Sequence, residues 1–281
     1  MRVFWLAGAA LIGFAANSLL TRAALGAGRI DPASFTALRL ATGAATLALL
    51  VSARQRPRED RGSWSAAAAL AGYAIFFTLA YTRIGAGVGA LVLFGSVQVT
   101  MIGVGLARGE RPGRLDWLGL SLAVAGLLVF ALPGAAAPDL TGTLLMVFAG
   151  MSWGGYSLAG RHSHDPLGAT AGNFLRACAF GPLAFVALAG ATPHITAAGA
   201  GLAAASGSLA SGVGYTLWYS ALPSLSAWRA GVIQLVVPAL TAVAASVLLD
   251  ELFSLRLAAA TGLVALGVGL TIWSSRRSRA T

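Results

Sequence analysis

The sequence predicts an all-α membrane protein: ten transmembrane helices built as two inverted five-helix repeats around a central cavity. Three observations predict it. The first is composition. Of 281 residues, 57% are hydrophobic and only 10% charged, with a mean hydropathy of +0.79, whereas soluble domains carry about 25% charged residues. A span takes about 20 apolar residues, so the chain holds roughly ten. The second is a duplicated order of features. Phe77-Thr78-Leu79-Ala80-Tyr81-Thr82 is answered by Tyr215-Thr216-Leu217-Trp218-Tyr219-Ser220. Each phrase precedes a Gly- or Pro-bearing turn (Gly85 to Gly89, Pro223), an apolar run with a lone glutamine (Gln98, Gln234), a glutamate at a helix end (Glu110, Glu251) and a glycine-spaced run (119–126, 262–269). Features recurring in one order read as an internal duplication. The third is arginine placement: all 19 basic residues are arginine, and most gather in alternate loops.

In chain order, the first span covers 3–25 and carries Asn17. Met1-Arg2 before an apolar run has the look of a secretory signal, but the run outlasts an h-region and reads as a span. Asp31-Pro32 opens the second span, 33–53, with Arg39 inside it. The loop from Arg54 to Arg61 is strongly basic. Spans three and four cover 64–82 and 86–107; a second basic loop, Arg108 to Arg114, leads to span five, 115–132. The uncharged linker 133–139 divides a first repeat, 1–132, from a second, 140–274, which ends in a basic tail, 275–281. Span six, 140–160, is followed by the polar loop Arg161 to Pro166. No charged residue lies between Arg176 and Arg229, too long a stretch for one span. The turn Gly190 to His194 therefore separates span seven, 167–188, from span eight, 196–221. Spans nine and ten cover 227–249 and 255–273.

Orientation follows from the positive-inside rule. With the amino terminus in the cytoplasm, Arg2, the two basic loops, Arg161, Arg229 and the terminal arginines all fall inside. Arg29, Arg83 and Arg256 fall outside. Trp5, Trp64, Trp117, Trp228 and Trp273 then land at cytoplasmic helix ends as an interfacial belt. Five is odd, so the second repeat enters the membrane upside down. Its charges agree, because the 7–8 loop has no arginine and the 9–10 loop has one. Two inverted halves exchanging conformations give alternating access to one midplane site.

The duplicated aromatic phrase, Glu110 and Glu251, Arg39 with Arg176, and the glycine runs of spans five and ten together carry a resemblance. Over nearly its whole length the chain resembles the drug/metabolite transporter superfamily in its EamA-type ten-helix form, and within it the bacterial exporters of aromatic amino acids. The resemblance implies an inner-membrane exporter with a cavity between its halves and both termini cytoplasmic. One departure is the absence of a proline before Glu110; the ninth span keeps it as Pro238.

Polar groups inside a span are costly and so informative. Asn17, Gln98 and Gln234 each stand alone in an apolar run; they either meet substrate in a wet cavity or hydrogen-bond between helices. Pro238 lacks an N–H, so the Gln234 carbonyl loses its helical partner. In lipid it must find another, and a kink with a gating role follows. Tyr215, Trp218 and Tyr219 share one helix face, Trp153 and Tyr156 another, and Tyr81 is the repeat partner of Tyr219. Such faces stack a planar substrate or simply pack. Arg39 and Arg176 hold a substrate carboxylate in bidentate fashion, or brace a helix end. Gly150-Met-Ser-Trp-Gly154 is a close-packing element.

Other classes fit less well. The net charge of +10 is spread over short loops, which argues against nucleic acid. His162-Ser163-His164-Asp165 is the sole ligand-like cluster and has no second cluster to complete a metal site or a membrane enzyme. Neither a cofactor nor an ATPase partner is expected, since no nucleotide loop is present. The partners expected are a small-molecule substrate and the bilayer, the protein being a monomer or weak homodimer. A channel remains a rival to a carrier. All nine carboxylates lie in loops or at helix ends, which points to facilitated export over proton antiport. The lone Cys178, in an apolar run, reads as buried and inert.

Overall fold

The computed structural model describes residues 2–54, 57–84, 86–131, 139–182, 193–248 and 255–277. The expectations for the linker 133–138, for Gly85, for the turn residues 190–192, for Glu251 and for the tail beyond 277 lie outside these.

A chain this apolar must satisfy its backbone polar groups within each segment, and it does so with helices. They are α1 (Arg2–Leu25), α2 (Pro32–Ala53), α3 (Trp64–Tyr81), α4 (Ala86–Ala107), α5 (Arg114–Ala131), α6 (Leu140–Gly160), α7 (Pro166–Ala177), α8 (Ala197–Ala205), α9 (Gly214–Ala221), α10 (Ala227–Gln234), α11 (Val236–Leu248) and α12 (Leu255–Arg277). The extended pairing among the described residues is one isolated bridge, Ile30 with Ile195. Among the described residues, three helices, α1, α2 and α3, are long and apolar enough to cross a membrane. Shorter apolar stretches are Val92–Ala107, Ala227–Thr241 and Gly262–Ser274.

The helix starts are written in the sequence. Asp31 and Asp165 each cap a helix whose first residue is proline, where the missing N–H costs nothing. Ser63, Asp139, Thr196 and Ser226 cap α3, α6, α8 and α10 through their side-chain oxygens. The glycine runs have a packing reason. A Cβ on Gly119 would stand 2.6 Å from the Gly267 carbonyl oxygen, and one on Gly267 would strike the Gly119 carbonyl in turn. Backbone thus meets backbone between α5 and α12, as small residues permit. Gly150 likewise lets α6 approach the Leu93 carbonyl of α4, a Cβ there lying 2.5 Å from it.

Three details depart from the sequence reading, and a fourth, the break in span nine, falls where Pro238 leads it to be expected. Span eight is not uniform: Ser206–Val213, between α8 and α9, is π-helical. Ser63 and Tyr81 are 18 positions apart, while Thr196 and Tyr219 are 23 apart; the wider turns take up part of the surplus. Span nine breaks at Leu235, between α10 and α11, which is where Pro238 withholds a donor from Gln234. Cys178 is half-buried rather than buried, in a 3-10 turn after α7. Trp228 is no interfacial anchor: it is buried against Trp117, with ring centroids 4.6 Å apart. Trp5, Trp64, Trp117 and Trp273 are exposed.

Candidate functional site

Trp153 of α6 is the hub of the interior. Its ring lies 4.6 Å from Tyr215, 5.0 Å from Phe14, 5.1 Å from Tyr73 and 5.6 Å from Tyr156. Offset and edge-on aromatic contacts of this kind are favourable beyond their burial. Phe14 and Tyr73 come from α1 and α3, so both halves of the chain build the shell. Polar groups are woven into it. Trp153 Nε1 donates to Gln234 Oε1 at 2.6 Å. Asn17 Nδ2 donates to Tyr73 Oη at 3.3 Å, and Asn17 Oδ1 accepts from Ser206 Oγ at 2.6 Å. Phe14, Asn17, Tyr73, Trp153 and Tyr215 line a cavity of about 10 Å³, which is room for about one water. A guest larger than a water needs this pocket to widen.

Arg39 of α2 lies behind this shell and is 1% exposed. Its Nη2 donates to Tyr215 Oη at 2.6 Å and its Nε to Ser211 Oγ at 3.1 Å. The guanidinium carbon stands 5.2 Å from the Tyr73 ring centroid and 5.8 Å from that of Phe77, within cation–π range. Nη1 has no hydrogen-bond partner among the described residues.

Two tyrosines flank the centre, toward opposite ends of the bundle. Tyr219 stacks on Tyr156 at 4.8 Å and donates to the Tyr156 carbonyl at 2.9 Å. Beyond it lies a polar cavity of about 200 Å³ lined by Asp60, Ser63, His162, Asn173 and Tyr219 among others. Tyr81, at the far end of α3, packs edge-on against Phe77 at 4.6 Å. The ends themselves are clasped by the two capping aspartates. Asp31 accepts from Ser34 N in its own helix and from His194 N across the chain. Asp165 accepts from Gly168 N and Glu59 N and forks with Arg54, both N···O distances being 2.6 Å. The Arg54 hydrogen bond, with those backbone donors, holds the Asp165 carboxyl down at about 2 from an ordinary 3.8.

The structure brings together Asn17, Arg39, Trp153, Tyr156, Tyr215, Tyr219 and Gln234. Trp218 is buried beside them, its Nε1 donating to Ser157 Oγ at 3.1 Å. Gln98 sits apart, its amide donating to the Gly231 carbonyl between α4 and α10. Arg176 does not reach the centre. Its guanidinium braces the Arg61 and Gly172 carbonyls and lies 5.6 Å over Trp64. Counting from the capping aspartates, the partner of Arg39 in the second half is Asn173, just as Thr36 matches Thr170. The repeated Asp-Pro pair was the signal that would have shown this. Sequence reasoning also missed Phe14, Tyr73, Ser206 and Ser211, which no simple periodicity marks. Glu110 is a cap supplied from outside the helix it serves. Its two carboxylate oxygens accept from Ala227 N and Trp228 N of α10 at 2.8 and 2.9 Å, and Arg161 pairs with it at 3.2 Å.

Apolar helices packed around a buried aromatic and polar shell built from both halves are the architecture of a polytopic membrane protein. The EamA-like transporter family matches residues 1–132 and again residues 140–273, and the chain belongs to that family. Uncharacterized protein PA1977 of Pseudomonas aeruginosa is 52% identical over 94% of this chain and 92% of its own length. Threonine/homoserine exporter RhtA is 32% identical in Salmonella typhimurium, over 61% of this chain and 59% of the relative. In Escherichia coli K12 it is 31% identical, over 63% and 61%. One solved crystal structure, 23% identical, superposes with a TM-score of 0.77 over 94% of this chain and 98% of its own, which establishes the shared fold.

Proposed function

We propose that the protein exports amino acids, aromatic and other large neutral ones first, across the bacterial inner membrane. It does so by alternating access between two inverted five-helix repeats, driven by the substrate's own gradient. One observation carries the reading: a buried aromatic shell from both halves, centred on Trp153, is flanked by the repeat-related tyrosines Tyr81 and Tyr219. Stacking faces suit a planar side chain, and equivalent tyrosines toward opposite ends suit two gates that open in turn.

Further support comes from the family and from its RhtA relatives, which are threonine/homoserine exporters by name. The Asp-Pro clasps at Asp31 and Asp165 repeat one device at opposite ends of α2, as an inverted pair of halves would. The facilitative mode rests on the described carboxylates, which sit in loops, at caps or in a first helical turn.

The test is counterflow in liposomes holding the purified protein, with labelled tryptophan or phenylalanine, with and without a proton gradient. Saturable exchange that ignores the gradient is expected, and saturation with counterflow separates a carrier from a channel. Uphill export that collapses with a protonophore would replace the facilitative mode with proton coupling. No flux of any amino acid would remove the substrate class.

A further inference from the structure

We propose that Arg39 is the docking point for an anionic group of the transported molecule, so that the substrate carries a carboxylate and the site rejects the same molecule with that group blocked. This rests on the transporter reading above and on its aromatic substrate class.

A guanidinium that is 1% exposed is costly unless an anion or a full set of acceptors meets it. Arg39 has neither. Two of its nitrogens donate to neutral hydroxyls, Ser211 Oγ and Tyr215 Oη, and Nη1 has no partner among the described residues. The described ion pairs lie elsewhere, Arg54 with Asp165 and Arg161 with Glu110. The hydroxyls and the Tyr73 and Phe77 rings therefore orient the charge without neutralising it.

Position turns this into a site. Tyr73 and Tyr215 both touch the guanidinium and both line the central cavity, so Arg39 stands directly behind the cavity wall. The π-helical stretch is part of the same construction. It supplies Ser211 to Arg39 and Ser206 to Asn17, and π turns recur at functional sites. Gly207, between them, lets the stretch close on Arg39, since a Cβ there would strike the Arg39 carbonyl. The repeat is broken here: the counterpart of Arg39 is the neutral Asn173, itself engaged with Ser63 N and Tyr219 Oη. One fixed cation at the centre fits one anion, and the planar fork of arginine suits a carboxylate's two oxygens.

The test separates the charges of an amino acid. The purified wild-type protein is melted with 3-phenylpropionate, which has a carboxylate and no ammonium, and with phenethylamine and phenylalaninamide, which have the reverse. The same three compounds compete in phenylalanine counterflow. The carboxylate is expected to raise Tm and to compete, with the amide at least about tenfold weaker, the size of a charge-assisted hydrogen bond. Arg39→Gln is expected to abolish the preference and Arg39→Lys to keep part of it. Ser211→Ala, which leaves the charge in place, is expected to weaken it and serves if the glutamine variant does not fold. Equal binding of amide and carboxylate by the wild-type protein overturns the proposal, as does no response to any of them. If phenylalanine and its amide are carried equally well, the transporter reading stands and this inference falls. If the carboxylate raises Tm while no amino acid is exchanged, the inference stands and the amino-acid reading falls.

Discussion

Asp165 shows how much one side chain can hold. It starts α7, accepts from Glu59 N in the loop before α3 and forks with Arg54 at the end of α2, so a single carboxylate joins the two halves at one end of the bundle. Its pKa is held at about 2, against an ordinary 3.8, chiefly by the Arg54 hydrogen bond. A lowered carboxylate contributes stability that is complete above its unfolded value and is lost as pH falls through its folded one. Asp165→Asn keeps the cap, since asparagine caps as well as aspartate, but loses the ion pair, at a cost of roughly 1 kcal/mol. Thermal melts of the two proteins in detergent are expected to differ by a constant margin above pH 3.8 and to converge as pH falls toward 2. A gap that stays open at the acid end would mean the carboxylate's charge is not what matters.

At the scale of elements, helices here are interrupted where the centre lies. The π stretch Ser206–Val213 presents Ser206 and Ser211 to the polar groups behind the aromatic shell. The break at Leu235 leaves Gln234 at the end of α10, with its side chain on Trp153. Restoring the missing donor with Pro238→Ala is expected to join α10 and α11 into one straighter helix and to slow counterflow several-fold, with folding retained. Proline in a helix interior costs about 3 kcal/mol, so the variant is expected to melt higher. Unchanged flux would deny the kink any part in gating. Glu110 belongs to this scale as well, because it caps a helix in the other half and so ties the end of α4 to the start of α10.

Across the whole molecule, loops pair by end. The loop before α2 joins the one before α8 through the Ile30–Ile195 bridge and Asp31. The loop before α3 joins the one before α7 through Arg54 and Asp165. On the proposed orientation the first pair faces outward and the second the cytoplasm. In a Cys178→Ser background, an impermeant maleimide added to intact cells is expected to label His194→Cys readily. His164→Cys is expected to react only after permeabilisation; the reverse pattern would invert the topology. Both histidines are exposed, so accessibility by itself does not bias the result.

The helical class, the helix starts and the close-packed glycine faces were legible along the chain, because capping, hydrophobic run length and the absence of a side chain act locally and leave marks in order along it. The sequence also marked the family, through the duplicated phrase, and it foresaw the break near Pro238, since a missing N–H is a local fact. Which polar residues meet was settled by the packing of the helices. Arg39 and Arg176 look alike as charges inside apolar runs, yet one lies buried among Ser211, Tyr73 and Tyr215 while the other reaches back to a loop carbonyl. Asn17 meets Ser206 across 189 positions. Such pairings depend on helix rotation and on a π turn that shifts register, and neither is encoded in the spacing of any one segment.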